Sequence, residues 1–335
     1  MSARTISAAV AAAAMARLSY SVLRGRPPGG AAKWERTNHR GEPITLLEGP
    51  AVALGGVAGS LVAGGSGREL LAAAIAGAGA AAFGGYDDLA GNGGKRGFRG
   101  HLGALGKGEL TTGAVKLAGI SATGLVAAIV AGRPGPDAEA PGPAGAVADV
   151  VINAGLIAGG ANLLNLFDLR PGRAIKVALL AGGLLAPSGG GAAAAAPLAA
   201  AAALLPEDLG ERSMLGDGGA NALGAMLGAA AATSLPRPAR IAALGVIVGL
   251  TAASEVVSFS QVIDRTPALH WADRLGRRPA ESSPANAVPE ADAAPEADAA
   301  PEADAVPEAD AEPEAGAPPQ ADATPAGAVR PAEAR

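Results

Sequence analysis

Long stretches without charged residues, separated by short polar clusters, constrain this chain more than any other feature. Between Ser2 and Ala280 these stretches consist mainly of Ala, Gly, Leu and Val, and several approach the ~20 residues that a helix needs to cross a bilayer core. A soluble, Ala-rich helical protein is the alternative, but so many apolar runs are hard to bury in water. The pattern therefore predicts an all-α fold, a polytopic bundle of transmembrane helices.

The apolar runs predict about nine to ten spans. Two of them are short and meet at the Pro187–Gly190 break, so they are the weakest pair. Small residues allow neighbouring helices to approach closely in a membrane, which suits this composition. The nine runs that the sequence itself supplies are 5–23, 45–65, 68–86, 112–132, 146–165, 174–188, 191–206, 219–235 and 239–259.

The distribution of Lys and Arg predicts the orientation of the bundle. Basic residues gather in four segments, 24–44, 87–111, 166–173 and 260–280, whereas the alternate loops are short or poor in them. Because cytoplasmic loops carry an excess of Lys and Arg, these four segments are predicted to be cytoplasmic. The N-terminus is then outside, the C-terminus is cytoplasmic, and every polar cluster falls on the cytoplasmic face.

The composition changes abruptly after residue 280. Residues 281–335 hold 13 Asp or Glu and 2 Arg, and a Pro-Glu-Ala-Asp-Ala unit recurs from Pro289 through Pro307. Regular prolines prevent a helix and the like charges repel, so a disordered acidic tail is predicted. Residues 1–280 are the predicted transmembrane domain. They carry a net positive charge that suits anionic headgroups and phosphorylated substrates.

Three clusters of acidic and amide residues interrupt the ends of apolar runs. They are Gly85–Asp88 at the end of the third run, Asn162–Asp168 at the end of the fifth, and Leu215–Asn221 at the start of the eighth. Carboxylates at a membrane boundary are costly unless they are paired, hydrated or bound to a cation. Several of them converging on one face suit Mg²⁺, which prefers oxygen ligands.

The spacing within two of these clusters supports a shared site. Asn162, Asn165 and Asp168 follow one another at three-residue intervals, which places them along one face of a helix. Glycines on both sides of Asp217 leave backbone amides open at a helix start, where phosphate oxygens bind readily.

The three motifs, in this order, resemble those of a known family. An Asp-Asp pair, an Asn-x-x-Asn-x-x-Asp motif and a Gly-Asp-x-Gly motif are typical of the polyprenyl-phosphate N-acetylhexosamine-1-phosphate transferases. This superfamily includes the translocase that makes the first lipid-linked peptidoglycan precursor. Residues 38–43 also resemble the family's first cytoplasmic loop, and the resemblance covers roughly residues 1–280.

The resemblance implies a reaction and a location. The family transfers a HexNAc 1-phosphate from a UDP-N-acetylhexosamine to a polyprenyl phosphate, undecaprenyl or decaprenyl, with Mg²⁺ as cofactor and UMP as product. It does so at the cytoplasmic face of the bacterial plasma membrane, in cell-wall or surface-glycan synthesis. A homodimer and no nucleic-acid partner are the accompanying expectations.

The resemblance also implies roles for individual residues. It leaves open whether an aspartate attacks first or only positions the acceptor phosphate. The implied catalytic residues are Asp87, Asp88 and Asp217, the metal ligands are Asp217, Asp87 and Asp168, and the substrate-binding residues are Asn162, Asn165, Asp168, Arg170, Arg173 and His270.

Two departures from the family keep other functions open. Pro171 stands where the family has a second acidic residue, and His270 is the single histidine where the family often has a cluster. A catalytically inactive membrane scaffold of the same fold is therefore one alternative. An ion-coupled transporter is another, although transporters place ionisable groups near the middle of the bilayer and these carboxylates lie at the ends of the runs.

Overall fold

The computed structural model describes residues 2–63, 66–91, 111–132, 142–188 and 190–279, which all belong to one compact unit. The acidic tail and the basic residues between 92 and 110 lie outside the described residues. The described part contains eleven α-helices: α1 Ala3–Gly25, α2 Glu48–Val62, α3 Gly67–Ala90, α4 Thr112–Ala131, α5 Pro143–Phe167, α6 Arg173–Leu184, α7 Gly190–Leu209, α8 Gly216–Ser234, α9 Arg237–Ser254, α10 Phe259–Arg265 and α11 Pro267–Arg274.

A small β-hairpin is the one departure from the predicted all-α fold within the described residues. Strands β1 (Glu35–Thr37) and β2 (Pro43–Thr45) pair in antiparallel fashion, with Arg36 opposite Ile44. The side chain of Asn38 accepts backbone hydrogen bonds within the connecting turn. Thr45 also forms a bridge with Ser213, which ties the hairpin to the segment before α8.

Helix α8 is the centre of the bundle. Nearly every residue from Gly216 through Ala232 is buried, and α2, α3, α5 and α7 pack around the helix. Glycines allow the closest of these contacts: a Cβ placed on Gly160 of α5 would lie 2.8 Å from the carbonyl oxygen of Gly224. The predicted packing through small residues is therefore present around α8.

Among the described residues, five helices are long and apolar enough to cross a membrane: α1, α3, α4, α5 and α7. A sixth candidate is the pair α9 and α10, which meet at an angle of 93°. The chain thus has the helices of a multi-pass membrane protein, but the predicted count of nine to ten spans is not confirmed. The predicted ninth run, 239–259, is interrupted because α9 ends at Ser254.

Two of the predicted spans form helices too short to cross a bilayer core at right angles. Helix α2 has 15 residues and α6 has 12. At about 1.5 Å per residue, α6 extends roughly 18 Å, against a hydrocarbon core of ~30 Å. The number of predicted spans therefore exceeds the number of helices long enough to cross, because apolar composition alone does not fix the length of a helix.

From α1 to α9, successive helices run in opposite directions, so alternate helix ends gather at each end of the bundle. The end of α3 contacts the starts of α4 and α8, and the end of α1 contacts the end of α7 through Arg17 and Glu207. We call the end of the bundle at which these contacts lie the polar end. At the opposite end, Arg240 of α9 donates a hydrogen bond to Asn153 of α5.

Candidate functional site

Two predicted site residues meet across a lysine side chain at the polar end. Asp87 lies near the end of α3, and Asp217 lies in the first turn of α8. Lys116 Nζ, from the second turn of α4, lies 2.7 Å from Asp87 Oδ2 and 2.6 Å from Asp217 Oδ2. We call these three residues the carboxylate–lysine cluster. Two carboxylates that share one ammonium keep a net negative charge, so the cluster still attracts a cation.

Asp88 has a different position from its neighbour Asp87. Its carboxylate accepts hydrogen bonds from the backbone N–H groups of Asp217, at 3.0 Å, and of Gly218, at 2.8 Å. A carboxylate at a helix N-terminus satisfies free amides and favours the helix dipole. Asp88 therefore fixes the start of α8, and with it the position of Asp217.

The turn that precedes Asp217 requires glycine. Gly216 has a positive φ of 60°, and a Cβ there would lie 3.0 Å from Asp88 Oδ2. A side chain at this position would be strained and would also crowd the carboxylate that caps α8. The glycine of the predicted Gly-Asp-x-Gly motif thus serves the close approach of α3 to α8.

Asp168, the third predicted metal ligand, ends α5 and points into the protein. One of its oxygens accepts the backbone N–H of Gly216, and Oδ2 is buried without a partner among the described residues. Burial raises the pKa of Asp168 well above its ordinary value, and the charges of Asp208, Asp217 and Asp88 raise it further. A carboxyl that favours its neutral form is a poor ligand for a divalent cation.

The two predicted asparagines lie on α5, one and two turns before Asp168. Asn162 and Asn165 are both half-buried, and the side chains of both are free of hydrogen bonds to other described residues. Their amide groups are thus available to a ligand at the polar end of the bundle.

A cavity of about 220 Å³ brings together residues from the hairpin, the segment after α5 and the last two helices. Arg170 and His270, two predicted substrate-binding residues, both line it. We call it the basic pocket, because five arginines face three carboxylates there. The lining residues are His39, Arg40, Arg170, Glu211, Asp264, His270, Asp273, Arg274, Arg277 and Arg278.

Most charged groups of the basic pocket pair with other described residues, and two arginines have no such partner among them. Arg40 Nε donates to both carboxylate oxygens of Glu211, at 3.1 and 3.0 Å. The guanidinium groups of Arg170 and Arg274 lack a hydrogen-bonding or ion-pairing partner within the described part of the chain. These two cations are therefore free to bind an anionic ligand.

Glu211, on the wall of the basic pocket, has an unusual backbone conformation. It is the one non-glycine residue with positive φ in the described segments, at 55°, and it is buried. Such a conformation costs of order 1 kcal/mol and persists where the surroundings enforce it. Here Arg40 and Asn38 hold the carboxylate from the hairpin side.

Arg173, the other predicted substrate-binding arginine, is engaged inside the protein. Its Nε and Nη2 donate to the two carboxylate oxygens of Asp273, at 2.8 and 3.0 Å, and Nη1 donates to Ser260. The Arg173 side chain is 3% exposed. In this arrangement its donors hold α10 and α11 against the start of α6, rather than a ligand.

The sequence analysis overlooked three charged residues at the polar end. Lys116 is one of them. Glu48 is fully buried and accepts a hydrogen bond from Ser213 at 2.6 Å, and Asp208 is buried with one oxygen unpartnered among the described residues. Each is a charged residue within an apolar helix, where such residues are costly and often functional. That cost is the signal that could have identified them.

The described residues do not include three or more His, Cys, Asp or Glu side chains arranged to hold a metal ion. The predicted ligands Asp87, Asp168 and Asp217 therefore do not form such a group. Mg²⁺, however, is often held by one or two carboxylates together with waters and substrate phosphates. Asp87 and Asp217 converge closely enough on one cation, the Lys116 ammonium, to fit that smaller set.

No protein-family model and no curated protein matches the chain. The functional argument therefore rests on the geometry of the polar end and on the motifs in the sequence.

Proposed function

We propose that the chain is a membrane phosphoglycosyltransferase. It would transfer a HexNAc 1-phosphate from a UDP-N-acetylhexosamine to a polyprenyl phosphate at the cytoplasmic face of the bacterial plasma membrane, release UMP, and serve cell-wall or surface-glycan synthesis. The convergence of Asp87 and Asp217 on one cation, 2.7 and 2.6 Å away, is the observation that carries this proposal.

The polar end offers what such a reaction requires. Acceptor and donor both carry phosphates, and the cluster places a cation, two carboxylates and a helix N-terminus side by side. Phosphoryl transfer depends mainly on positioning and on electrostatic stabilisation. A membrane protein with this site at the ends of its helices can bring together a lipid headgroup and a water-soluble nucleotide.

The reaction itself is a displacement at phosphorus. An oxygen of the polyprenyl phosphate attacks the phosphorus of the sugar phosphate and forms a new P–O bond. The bond from that phosphorus to the bridging oxygen breaks, and the oxygen leaves with UMP. The acceptor phosphate is already ionised near neutral pH, so direct attack needs little help from a general base.

Asp87 and Asp217 would hold Mg²⁺, with substrate phosphates and water as its other ligands. Mg²⁺ bound there would neutralise the diphosphate and stabilise the charge on the leaving oxygen. Asp88 positions Asp217 through the start of α8. Lys116, displaced from between the carboxylates, would remain close enough to pair with a substrate phosphate.

In this proposal the basic pocket binds the anionic part of the nucleotide sugar. Arg170 follows Asp168 by two residues, so the pocket and the polar end of α5 are neighbours. Arg170 and Arg274 supply free guanidinium groups, which bind phosphate oxygens with two parallel hydrogen bonds. His270 lies on the same wall, with Nδ1 3.6 Å from Asp264 Oδ1.

The decisive experiment measures UMP release by the full-length protein from UDP-N-acetylglucosamine, undecaprenyl phosphate and MgCl2. Asp217→Asn should reduce turnover by about 10²-fold or more, because it removes a charge that acts at the reacting phosphates. Glu255→Gln is the matched control: Glu255 is exposed after α9, and its side chain makes no hydrogen bond or ion pair with the carboxylate–lysine cluster. Equal turnover by wild type and Asp217→Asn would refute the proposal.

A catalytically inactive scaffold of the same fold is the second candidate, and one observation favours it. Lys116 pairs with both carboxylates and offsets their mutual repulsion, so the cluster forms without a metal ion. The same assay separates the candidates, because a scaffold would release no UMP with any UDP-sugar while it remained folded.

A further inference from the structure

A long apolar groove lies on the surface between α2 and α3. Its volume is about 580 Å³, within the range of ~300–1,000 Å³ that is typical of ligand pockets. Leu54 and Val57 form the wall on α2, and Ala78 and Ala82 line it on α3. Leu54 and Ala82 are exposed, so the groove opens toward the surroundings of the bundle. In a membrane that opening faces lipid.

One end of the groove lies beside the start of α8, at residues next in sequence to the carboxylate–lysine cluster. Asp88 and Gly218 line this end, and Gly218 donates its N–H to Asp88 at 2.8 Å. Asp217, the residue before Gly218, belongs to the cluster. The groove therefore ends one residue along α3 and one residue along α8 from the two carboxylates of the cluster.

A positive charge stands at the same end. Arg36 of the hairpin donates a hydrogen bond from Nη2 to the backbone carbonyl of Asp88, which holds its guanidinium beside the groove. Trp34, just before the hairpin, lines the groove and donates a hydrogen bond from Nε1 to the carbonyl of Pro28, at 2.8 Å. Tryptophan favours the boundary between water and lipid. The groove thus combines an apolar length, an interfacial residue and a cationic end.

We propose that this groove holds the isoprene units next to the phosphate of the polyprenyl acceptor, with Arg36 and Lys116 on either side of that phosphate. The inference rests on the proposed function and assigns the acceptor to one face of the bundle. The apolar lining and the cationic end of the groove match an amphiphile with a single apolar chain and an anionic head. The nearness of this end to the cluster and to Arg36 favours the acceptor over a phospholipid acyl chain, whose own phosphate has no part in the proposed reaction.

The small residues of α3 give the groove its depth. Gly85 shows this most clearly, because a Cβ built on it would have nothing within 4 Å. Ala82, one turn earlier, is exposed in the groove. A large side chain at position 82 would fill the space proposed for the isoprene units and would leave the core of the bundle intact.

The first test fills the groove in the full-length protein reconstituted in phosphatidylcholine vesicles. Ala82→Phe should raise KM for undecaprenyl phosphate about tenfold or more, because losing the burial of about two CH₂ groups changes affinity by that factor. KM for UDP-N-acetylglucosamine should stay unchanged. Ala122→Phe is the matched control, since Ala122 is an exposed alanine of α4 outside the groove.

The second test measures binding without turnover. Undecaprenyl phosphate that carries a diazirine on its second isoprene unit should crosslink to residues 50–57 or 78–89, as read by peptide mass spectrometry. Ala82→Phe should reduce this labelling and Ala122→Phe should not. Excess unlabelled undecaprenyl phosphate should compete, whereas excess phosphatidylglycerol should not.

The outcomes separate this inference from the proposed function. Labelling of α2 and α3 without UMP release would support the groove and refute the transferase. UMP release with labelling elsewhere, or with an unchanged acceptor KM in Ala82→Phe, would overturn the groove alone. Equal competition by phosphatidylglycerol would also overturn it, because the groove would then bind membrane lipid in general. Absence of both labelling and UMP release would refute both.

Discussion

At the scale of single residues, Lys116 decides how the polar end is held together. Two carboxylates from distant parts of the chain would repel each other strongly in a partly buried site, and the ammonium group offsets this repulsion. The side chains are 14–26% exposed, so solvent screens them only in part. Lys116 thus has the position that a divalent cation would take.

Lys116→Met should destabilise the protein and make it respond to Mg²⁺. Removing one partner from a buried ion-pair group costs about 3–5 kcal/mol of stability. The side chains of this cluster are only partly buried, so we expect a cost at or below the lower end of that range. MgCl2 should then raise the unfolding temperature of Lys116→Met more than that of wild type, because the metal no longer competes with the lysine. Thermal unfolding of the detergent-solubilised protein across a MgCl2 series measures both effects.

Lys33→Met is the control for that series, since Lys33 is an exposed lysine before the hairpin. It should unfold like wild type at every MgCl2 concentration. Identical MgCl2 shifts in wild type and Lys116→Met would contradict the idea that lysine and metal share one position.

The sequence predicted the meeting of Asp87 and Asp217 but not the lysine between them. The motifs predicted that these two carboxylates would also meet Asp88 and Asp168, because each motif lies at an end of an apolar run. In the structure Asp88 caps α8 and Asp168 lies outside the cluster. Which residue of α4 faces them depends on the rotation of that helix about its axis. Helix α4 is apolar on nearly all sides, so its pattern does not encode a rotation. Lys116 is the single charged residue of α4, and its position was the one feature that could have indicated which side of the helix faces the carboxylates.

At the scale of helices, the contact between α3 and α8 depends on one glycine of a pair. A Cβ on Gly84 would collide with the backbone carbonyl of Asp217 and lie 3.0 Å from Gly218 Cα, whereas a Cβ on Gly85 would meet nothing within 4 Å. Two adjacent glycines in the same helix turn therefore have opposite structural roles.

Gly84→Ala should lower the free energy of unfolding by about 1–3 kcal/mol, because overpacking separates α3 from α8. Gly85→Ala should be neutral or stabilising by up to ~1 kcal/mol, since alanine loses less backbone freedom in a helix than glycine does. Denaturant titration of the two variants under identical conditions tests the pair. A loss of stability in both variants of similar size would show that the close α3–α8 contact is not what glycine provides.

One buried carboxylate takes a central part in holding the last two helices to the bundle. Asp273 accepts hydrogen bonds from Arg173, at 2.8 and 3.0 Å, and from Arg277, at 2.6 Å. Asp273→Asn should cost about 3–5 kcal/mol, because it leaves the buried Arg173 charge without its counter-ion. The measurement is limited trypsin cleavage, which should accelerate at Arg265 and Arg274 in the variant. Asp264→Asn, at an exposed carboxylate of α10, should cleave like wild type.

The same contact has a defined pH dependence. Burial by itself would raise the pKa of Asp273, but the hydrogen bond from Arg173 and the charges of Arg173 and Arg277 outweigh burial and lower it. Because its pKa is lowered, the carboxylate stabilises the folded state fully at pH values above the ordinary aspartate pKa of ~3.9. This stabilisation is lost as the pH falls through the lowered pKa. The difference in unfolding temperature between wild type and Asp273→Asn should therefore be uniform from pH 8 down to about 5 and shrink only in stronger acid.

Sequence reasoning located the helices better than it located their interruptions. Each of the nine predicted runs overlaps one of the first nine helices, since apolar composition over 15–20 residues is a strong signal. The break after Ser254 carries neither proline nor glycine. Its one signal is Ser258, which caps α10 by accepting the N–H of Gln261. The hairpin was missed because its strands have three residues each, too few for a visible alternation.

At the scale of the whole molecule, alternation of helix direction is what gathers the site. The ends of α3, α5 and α7 and the starts of α2, α4 and α8 all contribute charged residues to the polar end. An up-and-down bundle achieves this without any long connection through the membrane. The number of helices that cross the bilayer then decides on which side each terminus lies.

Single-cysteine labelling tests that topology directly, because the chain has no native cysteine. With nine crossings, Ser2→Cys and Ser188→Cys should react with a membrane-impermeant maleimide in intact cells, and Ser282→Cys should react only after permeabilisation. Ser188, after the short helix α6, is the most informative position. If α6 and α7 fail to cross separately, Ser188→Cys will stay unlabelled from outside while the two termini still label on opposite sides. Reaction of Ser282→Cys in intact cells would place the polar end outside, away from cytoplasmic nucleotide sugars, and the proposed transfer would then lack its donor.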